Sequence, residues 1–323
     1  MSASRRNRLA LQSAAARSVA SSAPFTPISP TPGLFSRWGR LVLGFVLSSG
    51  MGLLAYRRRS LTKGGVAGAV ATGTTIFGLG GWSWGLALIY FFVSSTLLSH
   101  FREKEKEHTA ADKFSKGSRR DLAQVAANGG LASLCAALAG TTDSEPLQQT
   151  LQAGFAGALA TATADTWATE VGVLSSHEPR LLTTGRPVAP GTSGGITPLG
   201  SAASALGAFT LGLALWATRG LRRSLAALPV ISLISGMAGS LCDSLLGATV
   251  QAMYFCPTCQ RETERRVHSC GTRTCPLRGV PWCNNDVVNF FATCAGSCTA
   301  IVLHRVTYLI TRPKKRTASR AEL

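Results

Sequence analysis

The chain has 323 residues, of which 33 are Lys or Arg and 15 are Asp or Glu, so 15% are charged against 46% hydrophobic. A soluble domain carries about 25% charged residues. With residues 1–102 lacking any acid and 122–140 and 194–218 lacking charge of either sign, a soluble multi-helix core is excluded. The net charge of +18 sits in short basic clusters between apolar runs, without a basic face interleaved with aromatics. That pattern argues against nucleic acid as a partner and for a membrane topology signal.

In chain order, residues 1–33 are rich in Arg, Ser, Ala and Pro and read as a basic disordered tail or an organellar transit peptide. Apolar windows near the ~20 residues needed to cross a bilayer then predict spans at 34–56, 64–81, 82–99, 122–140, 150–172, 195–218, 225–250 and 287–311. The second and third form either a hairpin turning at Gly80, Gly81 and Trp82 or one bent element, so the count is seven or eight. The expected fold is all-α: a polytopic helical bundle over 34–311, with a small Cys-rich insert at 251–286 and a basic tail at 312–323. The spans are rich in Gly, Ala, Ser and Thr, which lets helices approach closely in lipid.

Basic residues orient the bundle. Residues 57–63 carry four Lys or Arg and 100–120 carry seven, whereas 141–149 have none. The basic loops are therefore expected to be cytoplasmic, and with them 173–194 and 251–286. The same parity puts Arg219, Arg222, Arg223, Lys314, Lys315 and Arg316 outside, against the rule. The host membrane is expected to be the plasma membrane of a prokaryote, with an organellar membrane as the alternative.

Ionisable groups inside spans cost several kcal/mol and are functional candidates. Asp165 and Glu170 lie in ADTWATEVG, Asp243 lies in GSLCDSLLGA, and Asn128 sits near the start of its span. Asn285, Asp286 and Asn289 open the last span, and the loop before the fourth span adds Asp112, Lys113, Arg119 and Arg120. On this topology they converge on one membrane face. Taken singly, Asn128 or Asp243 also reads as interhelical glue. Five residues on a continuous helix turn through about 140°, so Asp165 and Glu170 do not chelate one ion without a break. Asp165 is the stronger Mg²⁺ candidate, with Asp243 and Asp286 as further oxygen ligands, and Glu170 a base or an outer group.

The loop TTGRPVAPGTSGG offers Gly191, Thr192, Ser193, Gly194 and Gly195 as a phosphate cradle before a helix start, with Arg186 adding charge. It lacks the Walker spacing and lysine, and a plain Pro/Gly turn is the competing reading. Of the nine cysteines, five fall between Cys256 and Cys283. C-x2-C-x8-H-x-C fits a closed structural Zn²⁺ site of Cys256, Cys259, His268 and Cys270; a set running through Cys275 fits almost as well.

ADTWATEVG, PRLLTTGRPVAPGTSGGITPLG from Pro179, LCDSLLGATVQ, WCNNDVVN and DKFSKGSRRDLAQVAANGG together resemble the transmembrane protein 19 family, also called the domain-of-unknown-function 92 family, over about residues 40–305. A plant member acts as a phytyl-phosphate kinase. The resemblance therefore implies phosphoryl transfer from a nucleoside triphosphate to a prenyl phosphate at the bilayer surface, with Asp112, Lys113, Asn128, Asp165, Glu170, residues 192–195, Asp243, Asn285, Asp286 and Asn289 in the shared motifs. At the cysteine cluster this chain departs from the plant and animal branches, so zinc is not implied for the shared chemistry. In the expected reaction Lys113, Arg119 and Arg186 offset developing charge. The rival readings are a transporter or flippase, which needs polar groups near mid-bilayer, and a structural scaffold that binds a partner through the insert.

Overall fold

Large side chains on the outside and small ones within set the architecture. The computed structural model describes residues 36–110, 119–221 and 225–311. The helices are α1 (Arg37–Arg57), α2 (Lys63–Thr75), which runs on into a π-helical turn at Ile76–Gly80, α3 (Trp82–His100), the short α4 (Glu103–Ala110), α5 (Leu122–Thr141), α6 (Glu145–Gly172), α7 (Pro198–Ala217), α8 (Leu228–Thr249) and α9 (Asn285–Thr311). The predicted tails at 1–33 and 312–323, with Asp112, Lys113, Arg222 and Arg223, lie outside the described residues.

Six helices, α1, α3, α5, α7, α8 and α9, are long and apolar enough to cross a membrane. The predicted seven or eight spans are thus high by that criterion. α2 has only 13 residues before the π turn, and α6, although 28 residues long, carries too many Gln and Thr residues among its apolar ones. The reason for the second difference is its position. From Gln152 to Ala164 every residue of α6 is buried, on all sides of the helix, by α5, α7, α8 and α9 with α3 alongside. Its polarity faces protein, and lipid is met instead by exposed Leu97, Leu206, Val230, Ile234 and Val302 on the surrounding helices.

The packing around α6 uses residues without bulk. A Cβ on Gly157 would lie 2.3 Å from the Gly296 carbonyl oxygen, and one on Gly236 would lie 3.0 Å from that of Ala160. Dispersion between closely apposed backbones takes the place of the hydrophobic drive that lipid cannot supply.

Loop contacts gather one end of the bundle. Thr62 N–H donates to the Arg120 carbonyl and Arg120 N–H to that of Ser60, both at 3.0 Å. At the other end the Arg37 guanidinium reaches the Gly140 carbonyl at 2.8 Å, and Arg305 reaches Thr150 at 2.9 Å. Two small sheets sit at the basic-loop end. β1 (Arg180–Leu181) pairs antiparallel with β2 (Gly195–Ile196). In the insert, β3 (Met253–Cys256) is flanked by β4 (Arg261–Thr263) and β5 (Cys275–Arg278), both antiparallel to it. Arg219 lies past the end of α7 opposite the basic-loop end.

Gly157→Val should lower stability by about 1–3 kcal/mol, because backbone on the facing helix cannot yield as a flexible side chain does. Gly130→Ala in α5, where a Cβ meets nothing within 4 Å, should be neutral or gain roughly 0.5–1 kcal/mol from the reduced entropy of the unfolded chain. Unfolding midpoints in detergent compare the two.

Candidate functional site

A cavity of about 640 Å³ opens at the basic-loop end of the bundle. Asp165 lies seven residues before the end of α6, Asp243 six before the end of α8 and Asn128 six into α5. At the helical rise these residues lie about 10 Å inside their helix ends. Met237, twelve residues before the end of α8, also lines the cavity, so its floor reaches about 18 Å inside that helix end.

Most of the predicted polar residues line this one space: Asn128, Asp165, Glu170, residues 191–195, Asp243, Asn285, Asp286 and Asn289. Asp112 and Lys113 lie outside the described residues. Arg119 and Arg186 do not line the cavity. The Arg119 guanidinium sits 5.8 Å over the Tyr56 ring and donates to the Leu61 carbonyl at 3.4 Å; Arg186 is exposed on the outer turn of its loop. Lys106, Gln124, Ser240, Glu264 and Arg265 join the lining without having been singled out in the sequence. So does Arg120, which the sequence placed only among the bases of its loop. Lys106 and Glu264 come from a polar helix and a short hairpin, where charge reads as solvated surface.

The helix geometry separates the two acids of α6, as their spacing predicts. Asp165 faces α8, where Ser240 hydrogen-bonds to it. Asp243 lies close enough to feel the charges of both Asp165 and Glu264, and its Oδ2 is buried with no hydrogen-bond partner. Glu170 belongs to the opposite wall. Its Oε1 accepts from the Ser99 hydroxyl at 2.6 Å, and its Oε2 pairs with the Lys106 ammonium at 2.6 Å, so its carboxylate is neutralised in place. Arg120 completes that wall, donating to Thr96 Oγ1 at 3.2 Å and to Ser99 Oγ at 3.5 Å.

The 191–195 loop is shaped by its glycines. Gly194 has φ +82°, and a Cβ there would lie 2.5 Å from the Ala248 backbone nitrogen, so only glycine brings this turn against the end of α8. Thr192 N–H donates to Ala189 and Gly195 N–H to the Thr192 carbonyl. Those two amides are spent within the turn, which narrows the predicted cradle to the amides of Gly191, Ser193 and Gly194. On α9 Asn284 Oδ1 accepts the Val287 N–H at 3.1 Å; this cap starts the helix so that Asn285, Asp286 and Asn289 reach the cavity rim.

The insert is bonded to this loop. The Arg278 guanidinium donates to the Gly247 carbonyl at 2.7 Å and to the Ser193 carbonyl at 3.1 Å, and burial lowers its pKa, with the charge of Glu262 opposing. Ser193 Oγ donates to Gln251 Oε1 at 2.6 Å, and Gln251 Nε2 to Glu264 Oε1 at 2.9 Å. Gly279, at φ +82°, would place a Cβ 1.9 Å from the Gln251 carbonyl oxygen, so the hairpin docks through a glycine.

Within the insert, ligand atoms of Cys256, Cys259, His268 and Cys270 lie within 4.8 Å of one another. Cys275 is instead exposed in β5, paired with Phe255, which selects the first of the two predicted sets. Cys256 Sγ and Cys270 Sγ are 3.7 Å apart, close to the edge of about 3.8 Å that a tetrahedron with Zn–S distances of ~2.3 Å has. Hydrogen bonds from Thr272, with His268 adding to them, pull the Cys270 thiol down to about 6, while Cys259, which shares hydrogen bonds with Cys270 and Cys256, is pushed up to about 11.

A family model described as integral membrane protein DUF92 matches residues 46–297. Protein PGR of Arabidopsis thaliana is 33% identical over 271 residues, covering 78% of this chain and 91% of the plant protein. An uncharacterised membrane protein of Methanocaldococcus jannaschii is 32% identical over 209 residues, covering 65% and 82%. A further one, from Synechocystis sp., is 29% identical over 256 residues, covering 78% and 86%. No solved structure matches the chain.

Two outcomes check this geometry. Arg278→Met should release the 191–195 loop and raise its amide hydrogen exchange by at least about tenfold, since two charge-assisted bonds are lost together. In metal-stripped protein, Cys270 should be alkylated fastest among the cysteines of the insert. Its thiol pKa is lowered, so thiolate persists as pH falls from 9 toward 6 and disappears below that, whereas Cys259 reacts only at high pH.

Proposed function

This chain belongs to the DUF92 family of integral membrane proteins, and we propose that it is a membrane-embedded phosphotransferase that converts a prenyl-type lipid monophosphate to its diphosphate with a nucleoside triphosphate. One observation carries the reading: acids, amides, bases and a glycine turn from seven separate segments, α4, α5 with Arg120 before it, α6, the 191–195 turn, α8, the insert and α9, line one cavity that opens at the basic-loop end of the bundle. A phosphate head at the water interface, still attached to a chain in lipid, meets charges of both signs in such a cavity, and these charges gather toward its open end.

In the reaction an oxygen of the lipid monophosphate attacks the γ-phosphorus of the nucleotide. The bond from that phosphorus to the β,γ-bridging oxygen breaks, and nucleoside diphosphate leaves. The attacking oxygen is already anionic, so no strong general base is needed and Glu170 is free to serve as the partner that fixes Lys106. Positioning and charge neutralisation remain. Arg120, Lys106 and Arg265 supply positive charge around the phosphates, and the free amides of the 191–195 turn donate to their oxygens.

Asp165 and Asp243 fit a divalent cation such as Mg²⁺. Two neighbouring carboxylates of low exposure, one with an unsatisfied oxygen, repel each other in a medium of low dielectric, and a shared proton or a shared cation relieves that repulsion. When bound, the ion would supply charge neutralisation to phosphate oxygens, with Asp165 and Asp243 holding it and Asp286 lining the same cavity. In the insert, Cys256, Cys259, His268 and Cys270 would hold Zn²⁺ as a closed structural site, giving order to a hairpin too short for a core of its own.

Asp165→Asn keeps the shape and removes the charge. In purified protein supplied with labelled ATP or CTP and a panel of prenyl monophosphates, we expect diphosphate lipid from the unaltered chain and at least a ~100-fold loss in the variant, about 2.7 kcal/mol of barrier. Full activity in the variant takes Asp165 out of the reaction, and no product with any lipid removes the phosphotransferase. Metal analysis should find roughly one zinc per chain, lost in a Cys256→Ser, Cys270→Ser double variant.

A further inference from the structure

A second, narrow cavity of about 100 Å³ runs beside the polar one, and the two share Arg120, Gln124, Asn128 and Thr166. Away from those four residues its walls are almost wholly apolar. α1 contributes Leu47 and Met51, α3 contributes Leu88, Ile89 and Phe92, and α5 contributes Val125. α2 adds Ala69, Thr72 and Gly73, and glycines 52, 73, 85 and 129 let the lining helices approach closely around the space. On α3 the lining extends from Phe92 to Gly85, which at the helical rise is a depth of about 10 Å toward the far side of the bundle. Leu47, 37% exposed on the outer surface of α1, gives the space a wall on the lipid side.

Arg120 stands at the junction of the two cavities. Its guanidinium donates to the Thr96 and Ser99 hydroxyls while lying 5.8 Å over the ring of Phe92, so one side chain meets a polar wall and an apolar one. An anion held by that guanidinium in the large cavity is next to the mouth of the narrow one. A ligand matching both spaces has an anionic head joined to one hydrocarbon chain.

We propose that this narrow cavity is the chain-binding arm of the site: it takes the single hydrocarbon tail of a lipid monophosphate whose head lies beside Arg120, and it excludes two-chain lipids. The inference rests on the phosphotransferase reading for the identity of the head group and goes beyond it in placing the tail. Single-chain selectivity follows from size. The arm admits one chain between α1, α2, α3 and α5, so the second chain of a diacyl phosphatidic acid is left without a place in it.

The test uses the full-length protein in detergent and farnesyl monophosphate carrying a diazirine at the end of its chain. After photolysis, adducts should map to Phe77, Leu88 or Ile89, on the deeper wall of the arm. An excess of unlabelled farnesyl monophosphate should reduce them about tenfold or more, while the same excess of dioleoyl phosphatidic acid should not. Adducts confined to outward-facing residues such as Leu97 or Leu206, or equal competition by the two lipids, overturn the proposal.

A variant gives a second reading. Ile89→Trp fills the arm, so the ratio of affinities for farnesyl over dimethylallyl monophosphate should fall about tenfold or more. A general loss of fold lowers both affinities together, and an unchanged ratio in folded protein contradicts the proposal. Adducts in the arm without any diphosphate product would leave the arm standing and remove the phosphotransferase; product with adducts elsewhere would do the reverse.

Discussion

Everything at the polar end of this protein depends on how closely helices can approach α6. A helix buried on every side for more than three turns needs neighbours that meet backbone to backbone, and Gly157 against Gly296 and Gly236 against Ala160 provide that approach. Larger residues at these contacts would push α8 and α9 outward. Asp243 and Asp286 would then no longer share a space with Asp165, although all three residues would remain in the chain. Small-residue packing in lipid in this sense shapes the cavity as well as stabilising the bundle.

The second dependency runs through the insert. Its hairpin is held to the bundle by Arg278, Gln251 and Gly279, and it gives Glu264 and Arg265 to the cavity in return. The insert therefore braces the 191–195 turn from one side while the end of α8 braces it from the other. Zinc bound there would act on the chemistry only through position, which agrees with a ligand set that leaves no open coordination place.

Much of this was legible in the chain. Charge-free windows with Gly, Ala, Ser and Thr locate the helices to within a few residues; the largest differences are the end of α2 at Thr75 in place of 81, where the π turn takes over, and the start of α6 at Glu145 in place of 150. The rule that basic loops share a face gathers Asn128, Asp165, Asp243 and Asp286 at one end. The spacing of Asp165 and Glu170 foretells that they serve different walls. What stayed hidden is long-range: nothing near Lys106 shows that a polar eight-residue helix folds back on Glu170, and nothing near Glu264 shows that the insert leans over the membrane surface. Nor does the sequence distinguish Arg119, which turns away onto Tyr56, from Arg120, which turns in; neighbours in sequence part because one carbonyl of that strand segment pairs with Thr62 and fixes which side chain faces the bundle. The span count was high because hydropathy windows register α2 and α6 as crossings, one too short and the other too polar by that measure.

The central claim is that residues from α4, the 191–195 turn and α9 share one compartment at one membrane face. Cysteines introduced singly by Lys106→Cys, Thr192→Cys and Asn289→Cys, labelled with a membrane-impermeant maleimide in sealed, oriented vesicles and corrected for the native thiols, test it directly. The account predicts that all three label from the same side and that farnesyl monophosphate slows all three together. Labelling of any one of them from the opposite side would dissolve the shared cavity and the chemistry assigned to it.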